Sequence, residues 1–290
     1  MRYLLTLSTF VAAVLAAART SAPSGALTVG SGGKYSTFQQ AVNALSKTTT
    51  SPQNHFHLLC SSLLSGAAND EETGTVINLS ANTAFYNINI KNTYGKGSQA
   101  IALAAYNTDQ GYYGVGLYGY QDTLLTQIGN QIYAKCYIEG AVDWIFGQHS
   151  VAWFDGSTIA ASAPNGCITA NGRASSSDPS FYVLNKCTFT TSSGSTAGAG
   201  SVYLGRPWSE YARVAIQGSS LGSVINPAGW SVWSASTPNT GHVLFEEHGN
   251  SGAGTAGTRA SFAHSYSTAY TIGELLGSNY KTWVDTSYLS

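Results

Sequence analysis

The 290-residue sequence predicts an all-β fold built as a solenoid, on three observations. Only 9% of the residues are charged, against about 25% in an average globular domain. In place of the missing charges are 32 Gly, 18 Tyr and many Ser, Thr and Asn residues, which favour strands and tight turns over helices. The third observation is a series of short alternating segments that recurs after residue 75.

These segments alternate aromatic or aliphatic residues with polar ones and end in Gly, Asn, Ser or Thr, as β-strands do. Their irregular spacing, from under 20 to about 30 residues, suits a solenoid whose turns carry unequal loops. A β-sandwich is the competing architecture, and its strands would recur about every 8–12 residues. The segments are residues 84–93, 115–124, 131–140, 151–160, 181–190 and 213–222.

The N-terminus is typical of a secreted protein. Arg2 precedes the apolar run Leu4–Ala18, which is shorter than the ~20 residues of a membrane span and ends in small residues. We therefore predict a signal peptide over residues 1–18 and a secreted single domain, expected to be a monomer, over residues 19–290. The net charge of −1 gives no electrostatic basis for binding nucleic acid or an anionic membrane.

One helix and two loops are predicted along this domain. Tyr35–Leu45 has helical spacing and would cap the N-terminal end of the solenoid, whose edge would otherwise be exposed. Residues 192–200 and 249–257 are rich in Gly, Ser and Ala and predict loops. The apolar face of the helix would consist of Phe38, Ala41, Val42 and Leu45.

The cysteines and the one glycosylation sequon complete the covalent features. Cys60, Cys136, Cys167 and Cys187 could pair in three ways. Cys136 and Cys187 stand in similar phrases, which predicts equivalent inward positions, so buried free thiols are as consistent with the sequence as a disulfide. The sequon is Asn78-Leu79-Ser80.

Because charges are so few, each one inside an apolar strand requires an explanation. Asp122, Asp143 and Arg206 lie in the phrases GYQDTLL, GAVDWIFG and YLGRPW. A buried charge is costly unless it is paired, so we expect these residues to pair with one another. Five other acidic residues of the strand region lack this setting and are expected in turns or on the surface. They are Asp109, Asp155, Asp178, Glu246 and Glu247.

The spacing of these residues predicts one site. Gln99 precedes Asp122 by 23 residues and Asp122 precedes Asp143 by 21, which is about one solenoid coil each, so the three would stack about 4.8 Å apart. Two such carboxylates separate into a proton donor and an ionised nucleophile or base, which Arg206 could hold. The amides of Gln99 and Gln121 could stabilise an oxyanion. A structural Asp ladder and a glycosidase pair are the alternatives that this pattern leaves open.

At these residues the sequence resembles the pectin methylesterase (pectinesterase) family, of the secreted fungal type. The resemblance covers about residue 67 to the C-terminus, and the segment 33–42 is similar to the start of the family's domain. QDTL, VDWIFG and LGRPW in this order form a specific signature. The matching phrases are SQAIAL (98–103), GYQDTL (119–124), GAVDWIFG (140–147), ITANGR (168–173), YLGRPW (203–208), GWSVW (229–233), FEEHGN (245–250) and SNYKTWVDTSYL (278–289).

The resemblance implies a right-handed parallel β-helix that removes methyl groups from the C6 esters of polygalacturonate and releases methanol. It implies Asp143 as the nucleophile and Asp122 as the acid that protonates the leaving methoxide, and then as the base for water. Gln121 would stabilise the oxyanion with help from Gln99, and Arg206 would orient Asp143 and keep it ionised.

The same resemblance suggests how the polymer is held. Trp208 and Tyr120 are expected to stack on sugars, and Trp230 is a weaker candidate because core packing explains it as well. The expected partner is methyl-esterified homogalacturonan, and no metal or organic cofactor is implied.

Residues 46–66 depart from the family pattern. The family has here a longer stretch with a strand and a GTY-like turn, so this chain is expected to be short by one or two coils and poorly packed at this point. Two other functions remain as alternatives: a β-helical glycosidase or lyase acting on pectin, and an inactive carbohydrate-binding β-helix. A calcium-dependent lyase would require an acidic cluster, which the sequence does not show.

Overall fold

The computed structural model describes residues 27–29, 31–37, 39–41, 43–44, 56–57 and 70–290. The predicted signal peptide and all of residues 46–66 except 56–57 lie outside these described residues. Of the predicted N-terminal helix, residues 39–41 and 43–44 have helical backbone, whereas Phe38, Val42 and Leu45 lie outside the described part. No helix within the described ranges is long and apolar enough to span a membrane.

The strands, numbered β1 to β21 in chain order, form three sheets that each coil of the chain visits in turn. The seven-stranded sheet, named the site sheet below, contains β1 (Phe56–His57), β2 (Val76–Asn78), β5 (Leu103–Ala105), β8 (Leu124–Thr126), β11 (Ile145–Gly147), β14 (Cys167–Asn171) and β17 (Tyr203–Pro207). The eight-stranded sheet contains β3 (Thr83–Tyr86), β6 (Gln110–Tyr113), β9 (Ile128–Ala134), β12 (His149–Asp155), β15 (Phe181–Asn185), β18 (Arg213–Gln217), β20 (Leu244–His248) and β21 (Ala263–Ser265). The six-stranded sheet contains β4 (Asn89–Lys91), β7 (Gly116–Tyr118), β10 (Tyr137–Gly140), β13 (Thr158–Ala161), β16 (Thr188–Thr191) and β19 (Ser220–Leu221).

Parallel pairing of equivalent strands confirms the predicted parallel β-helix. Between β2 and β21 every described strand pair is parallel, and only the short β1 is antiparallel to β2. Leu103 pairs with Leu124, and Leu124 with Ile145, so these coils take 21 residues each. Later coils are longer because they carry loops such as the predicted one at 192–200.

In most of the predicted strand segments the chain bends at a residue with positive φ and passes from one sheet to the next. Five of the six contain two short strands that belong to different sheets, rather than one strand. The chain bends between the strands because a left-handed residue redirects the backbone, and the N–H of that residue bonds to the next coil. The corner residues are Asn87, Lys135, Gly156, Lys186 and Gly218, with φ between 51° and 55°.

Identical positions in successive coils stack aromatic rings in the interior. Phe85, Tyr112, Tyr133 and Phe154 form a column whose neighbouring ring centroids lie 5.5, 4.9 and 4.7 Å apart. All four rings are buried in the main core cluster. The repeat therefore converts one aromatic position per coil into a continuous core, which rigidifies the sheets that carry the functional side chains.

The three cysteines that the structure describes are free thiols. Cys136, Ser157 and Cys187 occupy equivalent positions on three consecutive coils, and the N–H of Cys136 donates to Ser157 Oγ at 3.0 Å. Cys136 and Cys187 are thus two coils apart, about 10 Å, which is beyond the reach of a disulfide. The predicted equivalence of the two phrases is correct, and its outcome is burial without pairing.

A C-terminal segment covers the outward face of the eight-stranded sheet. This C-terminal cover (residues 270–290) includes helix α1 (Ile272–Leu276), which Thr271 begins through a capping box with Glu274. Its buried side chains Leu276, Val284 and Tyr288 pack on strand residues such as Trp153. The described 3₁₀-helices are Asp70–Thr73, Ala253–Thr255, Tyr280–Thr282 and Thr286–Tyr288.

Two carboxylates beneath the cover correct a prediction. Asp155 and Glu246 were expected in turns or at the surface, but both are buried. Asp155 is 3% exposed and accepts hydrogen bonds from Trp153 Nε1 and from the backbone N–H of Ser290. Glu246 accepts a hydrogen bond from the Tyr270 hydroxyl at 2.8 Å. Neutral donors of the cover therefore satisfy carboxylates that the strand pattern alone assigned to solvent.

Candidate active site

Asp122 and Asp143 lie at the entry to adjacent strands of the site sheet. Asp122 precedes β8 and Asp143 precedes β11, and the neighbouring Gln121 and Val142 form a parallel bridge. The backbone N–H of Asp122 donates to the Val142 carbonyl at 3.0 Å. The two carboxylates therefore lie on adjacent coils, which are about 4.8 Å apart, and their residues are only 6% and 5% exposed.

Both aspartates have left-handed backbone. Their φ angles are 62° for Asp122 and 48° for Asp143, in a region that non-glycine residues seldom occupy. Asp tolerates this conformation better than most residues, yet such backbone still costs about 1–3 kcal/mol where packing maintains it. The same left-handed turn recurs at coil corners away from the site, such as Asn87 and Lys135, so here it places the two carboxylates at equivalent points of adjacent coils and does not by itself mark function.

Arg206 reaches Asp143 from two strands away. It belongs to β17 and is paired with Ala170 of β14, so its side chain crosses β14 to reach Asp143, just before the start of β11. Its Nε donates to Asp143 Oδ1 at 3.0 Å and its Nη2 to Asp143 Oδ2 at 2.5 Å. The guanidinium also lies 4.2 Å from the ring of Trp233 and donates to the Trp233 carbonyl at 3.3 Å. A two-pronged ion pair fixes the carboxylate orientation.

Burial and the ion pair have opposite effects on Asp143. Burial raises the pKa of its carboxyl above the ordinary aspartate value, and the hydrogen bonds and charge of Arg206 lower it without cancelling the rise. Burial acts to lower the pKa of Arg206, but the contacts with Asp143 raise it overall. Asp143 is therefore a more basic carboxylate than a free aspartate, held beside a permanent cation. That combination suits a nucleophile.

A cleft of roughly 280 Å³ opens beside this ion pair. Val142, Tyr203, Arg206 and Trp233 are among its lining residues, and so is Cys167, whose thiol is buried. Burial, reinforced by the negative charge of Asp143, raises the pKa of the Cys167 thiol far above its ordinary value. This cysteine is therefore a neutral lining group and not a second nucleophile.

The two glutamines lie close to each other on neighbouring coils, next to the aspartates. The N–H of Ala100 donates to the Gln121 carbonyl at 3.1 Å, which places half-buried Gln99 beside Gln121 on the preceding coil. The interval of 23 residues between Gln99 and Asp122 is longer than the 21-residue repeat of β5 and β8, so Gln99 lies nearer to Gln121 than to a position directly opposite Asp122. The stacking of Gln99 with Asp122 stays a prediction.

Two of the three predicted sugar-stacking residues are accessible. Trp208 is half-buried, its ring lies 6.2 Å from that of Phe146, and it packs over Gly172, where an added Cβ would come within 2.7 Å of the indole. Tyr120 is also half-buried, and its carbonyl accepts the N–H groups of the segment that leads into Asp143.

Trp230 is the third, and its assignment to sugar binding is wrong. The side chain is 1% exposed and stacks on Phe245 with centroids 4.4 Å apart. Its Nε1 donates to Glu247 Oε1 at 3.2 Å, so the indole fills the core. The tryptophan that faces the site is Trp233, in the same GWSVW phrase. Sequence reasoning missed Trp233 because the phrase contains two tryptophans and neither has a periodic neighbour that marks it as exposed.

Comparisons with known proteins agree with this architecture. Residues 61–274 match the family model for Pectinesterase. The chain is 45% identical to a pectinesterase of Aspergillus aculeatus, covering 96% of this chain and 97% of that protein. It is 44% identical to a pectinesterase of Aspergillus niger, covering 97% of each. The first alignment has 322 positions, more than the 290 residues of this chain, so the Aspergillus aculeatus protein has segments that this chain lacks.

Solved structures give the same result. A deglycosylated pectin methylesterase from Aspergillus niger superposes with a TM-score of 0.80 at 36% identity, over 93% of this chain and all of that chain. A pectin methylesterase from carrot superposes with a TM-score of 0.79 at 25% identity, over 93% of this chain and 98% of the other. The chain belongs to the pectinesterase family of carboxylic ester hydrolases.

Proposed function

We propose that this enzyme hydrolyses the C6 methyl esters of polygalacturonate in pectin through an aspartyl acyl-enzyme, with Asp143 as nucleophile and Asp122 as acid and base. The observation that carries the proposal is the Asp143 carboxylate, buried, held in two hydrogen bonds by Arg206 and one coil away from Asp122. The family relationship supplies the ester and the polymer, since the relatives and solved structures are named pectinesterase or pectin methylesterase.

In the first half of the reaction, a carboxylate oxygen of Asp143 attacks the ester carbonyl carbon. The carbonyl oxygen takes the electron pair, and the amides of Gln121 and Gln99 stabilise the resulting oxyanion. When the intermediate collapses, the bond to methoxide breaks and Asp122 donates its proton to the leaving oxygen, so methanol is released. An acid anhydride now joins the galacturonate carbonyl to Asp143.

In the second half, water hydrolyses this anhydride. Asp122, left ionised, removes a proton from the water as its oxygen attacks the galacturonate carbonyl carbon. Collapse returns the electron pair to Asp143 as carboxylate and leaves a free galacturonate acid group. Asp122 is protonated again, so both aspartates regain their starting states and the net reaction consumes one water per methanol.

The neighbouring side chains hold the reactants. Arg206 keeps the two oxygens of Asp143 in a fixed plane, and it remains charged when the carboxylate becomes acylated. The half-buried rings of Trp208 and Tyr120 give the sugar rings flat apolar contacts beside the pair. Since the relatives are fungal pectinesterases, we also propose that the protein is secreted after removal of residues 1–18, which mass spectrometry of the mature N-terminus would test.

Methanol release tests the proposed function. The purified protein, given highly methylated pectin, is expected to release methanol and to generate titratable carboxyl groups in equal amounts. A lyase would instead produce unsaturated chain ends that absorb in the ultraviolet, and a glycosidase would produce reducing ends. Either of these without methanol, or tight pectin binding without any product, would overturn the proposal. Fully demethylated polygalacturonate serves as the control substrate.

A further inference from the structure

The loop after the last strand of the site sheet holds Arg206 by its side chain. We name residues 231–239 the Trp233 loop. The ring of Trp233 stacks 4.2 Å from the guanidinium of Arg206, and the Trp233 carbonyl accepts from Arg206 Nη1 at 3.3 Å. Nη1 is the nitrogen that Asp143 does not bind, since Asp143 accepts from Nε and Nη2. The guanidinium is therefore held between the carboxylate on one side and this loop on the other.

The far end of the same loop holds the backbone that follows Arg206. Nδ2 of Asn239 donates to the Trp208 carbonyl at 2.9 Å and to the Pro207 carbonyl at 3.3 Å. Asn239 is half-buried and has φ of 55°, a left-handed conformation that directs its amide back toward β17. One side chain thus reaches the two residues that follow the catalytic arginine, and the second of them is the stacking tryptophan Trp208.

Hydrogen bonds within the loop tie its two ends together. The N–H of Trp233 donates to the Pro238 carbonyl at 3.2 Å, and the N–H of Ser234 to the Thr237 carbonyl at 3.2 Å. Thr237 N–H also donates to Ser234 Oγ at 3.0 Å. The position of Asn239 is consequently fixed with respect to Trp233. The loop therefore holds Arg206 through Trp233 and the backbone after Arg206 through Asn239.

The edge of the sheet explains why a side chain is needed here. β17 is the last strand of the site sheet, and in the described part of the chain its outer side is paired through isolated bridges, from Val202 to Ile225 just before the strand and from Gly205 to Trp230 within it. Beyond the second bridge, Pro207 has no N–H of its own to anchor the strand. The amide of Asn239 donates to the Pro207 and Trp208 carbonyls at the point where the described part of this sheet has no further strand.

We propose that Asn239 is a positioning residue for the esterase reaction: it fixes the backbone after Arg206 so that the guanidinium spans β14 to Asp143 and Trp208 stays over Gly172. This inference rests on the proposed function, because it assigns Asn239 to the same site. Asn239 acts through Arg206 and Trp208 and does not contact the reacting atoms.

The test is Asn239→Gly, which removes the amide and retains the left-handed backbone without strain. Loss of these hydrogen bonds is expected to lower kcat/KM for methanol release about tenfold. The acid limb of the pH profile of kcat/KM is expected to move up by about half a pH unit, because a loosened Arg206 depresses the pKa of Asp143 less. A purely structural role would leave this limb in place.

A matched control and a second variant accompany it. Asn87 also has a positive φ, 51°, but lies at the corner between the eight-stranded and six-stranded sheets, away from the site sheet. Asn87→Gly is expected to leave both kcat/KM and the acid limb unchanged. Asn239→Asp preserves size and backbone preference but cannot donate, so it is expected to lose kcat/KM like the glycine variant even if Asn239→Gly folds poorly.

The outcomes separate the two proposals. No methanol from the unaltered protein would overturn the proposed function. With an active unaltered protein, full kcat/KM in both Asn239 variants would overturn the positioning role of Asn239. So would a lowered kcat/KM that calorimetry traces entirely to a smaller folded fraction with an unmoved acid limb.

Discussion

Two outward faces of the same coil bury carboxylates in opposite ways. On the eight-stranded sheet, Asp155 is 3% exposed and its oxygens are bound by neutral groups, among them Trp153 Nε1 and the Ser290 N–H beneath the C-terminal cover. On the site sheet, Asp143 is 5% exposed and is bound by the cation Arg206, which lines an open cleft. The two carboxylates are buried to nearly the same extent, but they have different partners: neutral donors for Asp155 and a cation for Asp143.

The difference indicates which structural features the proposed nucleophile has and the covered carboxylate lacks. Asp155 lies inside the regular strand β12, so its backbone is unstrained, whereas Asp143 and Asp122 lie at left-handed corners. Neutral donors stabilise a carboxylate and keep it in place, but a movable substrate can reach only the face that the chain leaves open. We infer that an open cleft, left-handed backbone and a cationic partner together mark the reactive carboxylate.

Replacing each of the two aspartates by asparagine is the strongest test of this comparison. Asp143→Asn is expected to lower the rate of methanol release by about 10⁴-fold, since an amide cannot serve as the nucleophile. The fold should persist because Asn tolerates the left-handed backbone. Asp155→Asn is expected to reduce the free energy of unfolding by about 2 kcal/mol, since its amide would face two donors, and to leave kcat unchanged. Methanol assays and urea unfolding measure both.

The opposite pattern would remove the distinction between the faces. If Asp155→Asn abolished turnover of the folded protein, or if Asp143→Asn retained it, the open face would not be the reactive one. The pair is well matched because both changes replace one oxygen by NH₂ on a buried aspartate.

The cover itself provides the next largest effect. Leu276 is buried in the cluster that joins α1 to the eight-stranded sheet. Leu276→Ala is expected to cost about 2–4 kcal/mol of unfolding free energy, because it removes buried methyl groups and leaves a cavity. Thermal unfolding should show the loss while kcat and KM below the new Tm stay constant. A change in KM would mean that the covered face communicates with the site sheet.

Replacing a tryptophan on the open face is expected to change KM and to leave stability nearly unchanged, the reverse of the effect of Leu276→Ala. Trp208 is half-buried and packs over Gly172, so Trp208→Ala would remove an aromatic surface that we propose for polymer binding. We expect KM for methylated pectin to rise about tenfold, which corresponds to the 1–2 kcal/mol of one aromatic contact, with only a minor loss of stability. Trp230→Ala is the matched control: it should cost about 3–5 kcal/mol of stability with KM unaffected in the folded fraction. An unchanged KM in Trp208→Ala would show that Trp208 does not contribute to binding the polymer.

The sequence predicted the coil and its charged residues because both depend on local periodicity. One aromatic position per coil indicates the core, and a 21-residue interval places Asp122 next to Asp143. It did not predict the burial of Asp155, because the distant C-terminal segment that covers this residue cannot be located from local periodicity. Trp233 and Asn239 were missed for a similar reason: their contacts with Arg206 and Trp208 come from a loop without repeating pattern.

The smallest expected effect is the pH dependence of activity on the open face. Burial raises the pKa of Asp143, so the folded state binds this proton more readily than the unfolded chain does. As the pH falls through the raised pKa, the Asp143 site therefore gains stability from protonation while the enzyme loses its ionised nucleophile. Arg206→Gln removes the contacts that lower this pKa, so residual activity should show an acid limb displaced about one unit to higher pH in kcat/KM. A limb that stays in place or moves to lower pH would show that Arg206 does not set the ionisation of Asp143, and the open face would then differ from the covered one in access alone.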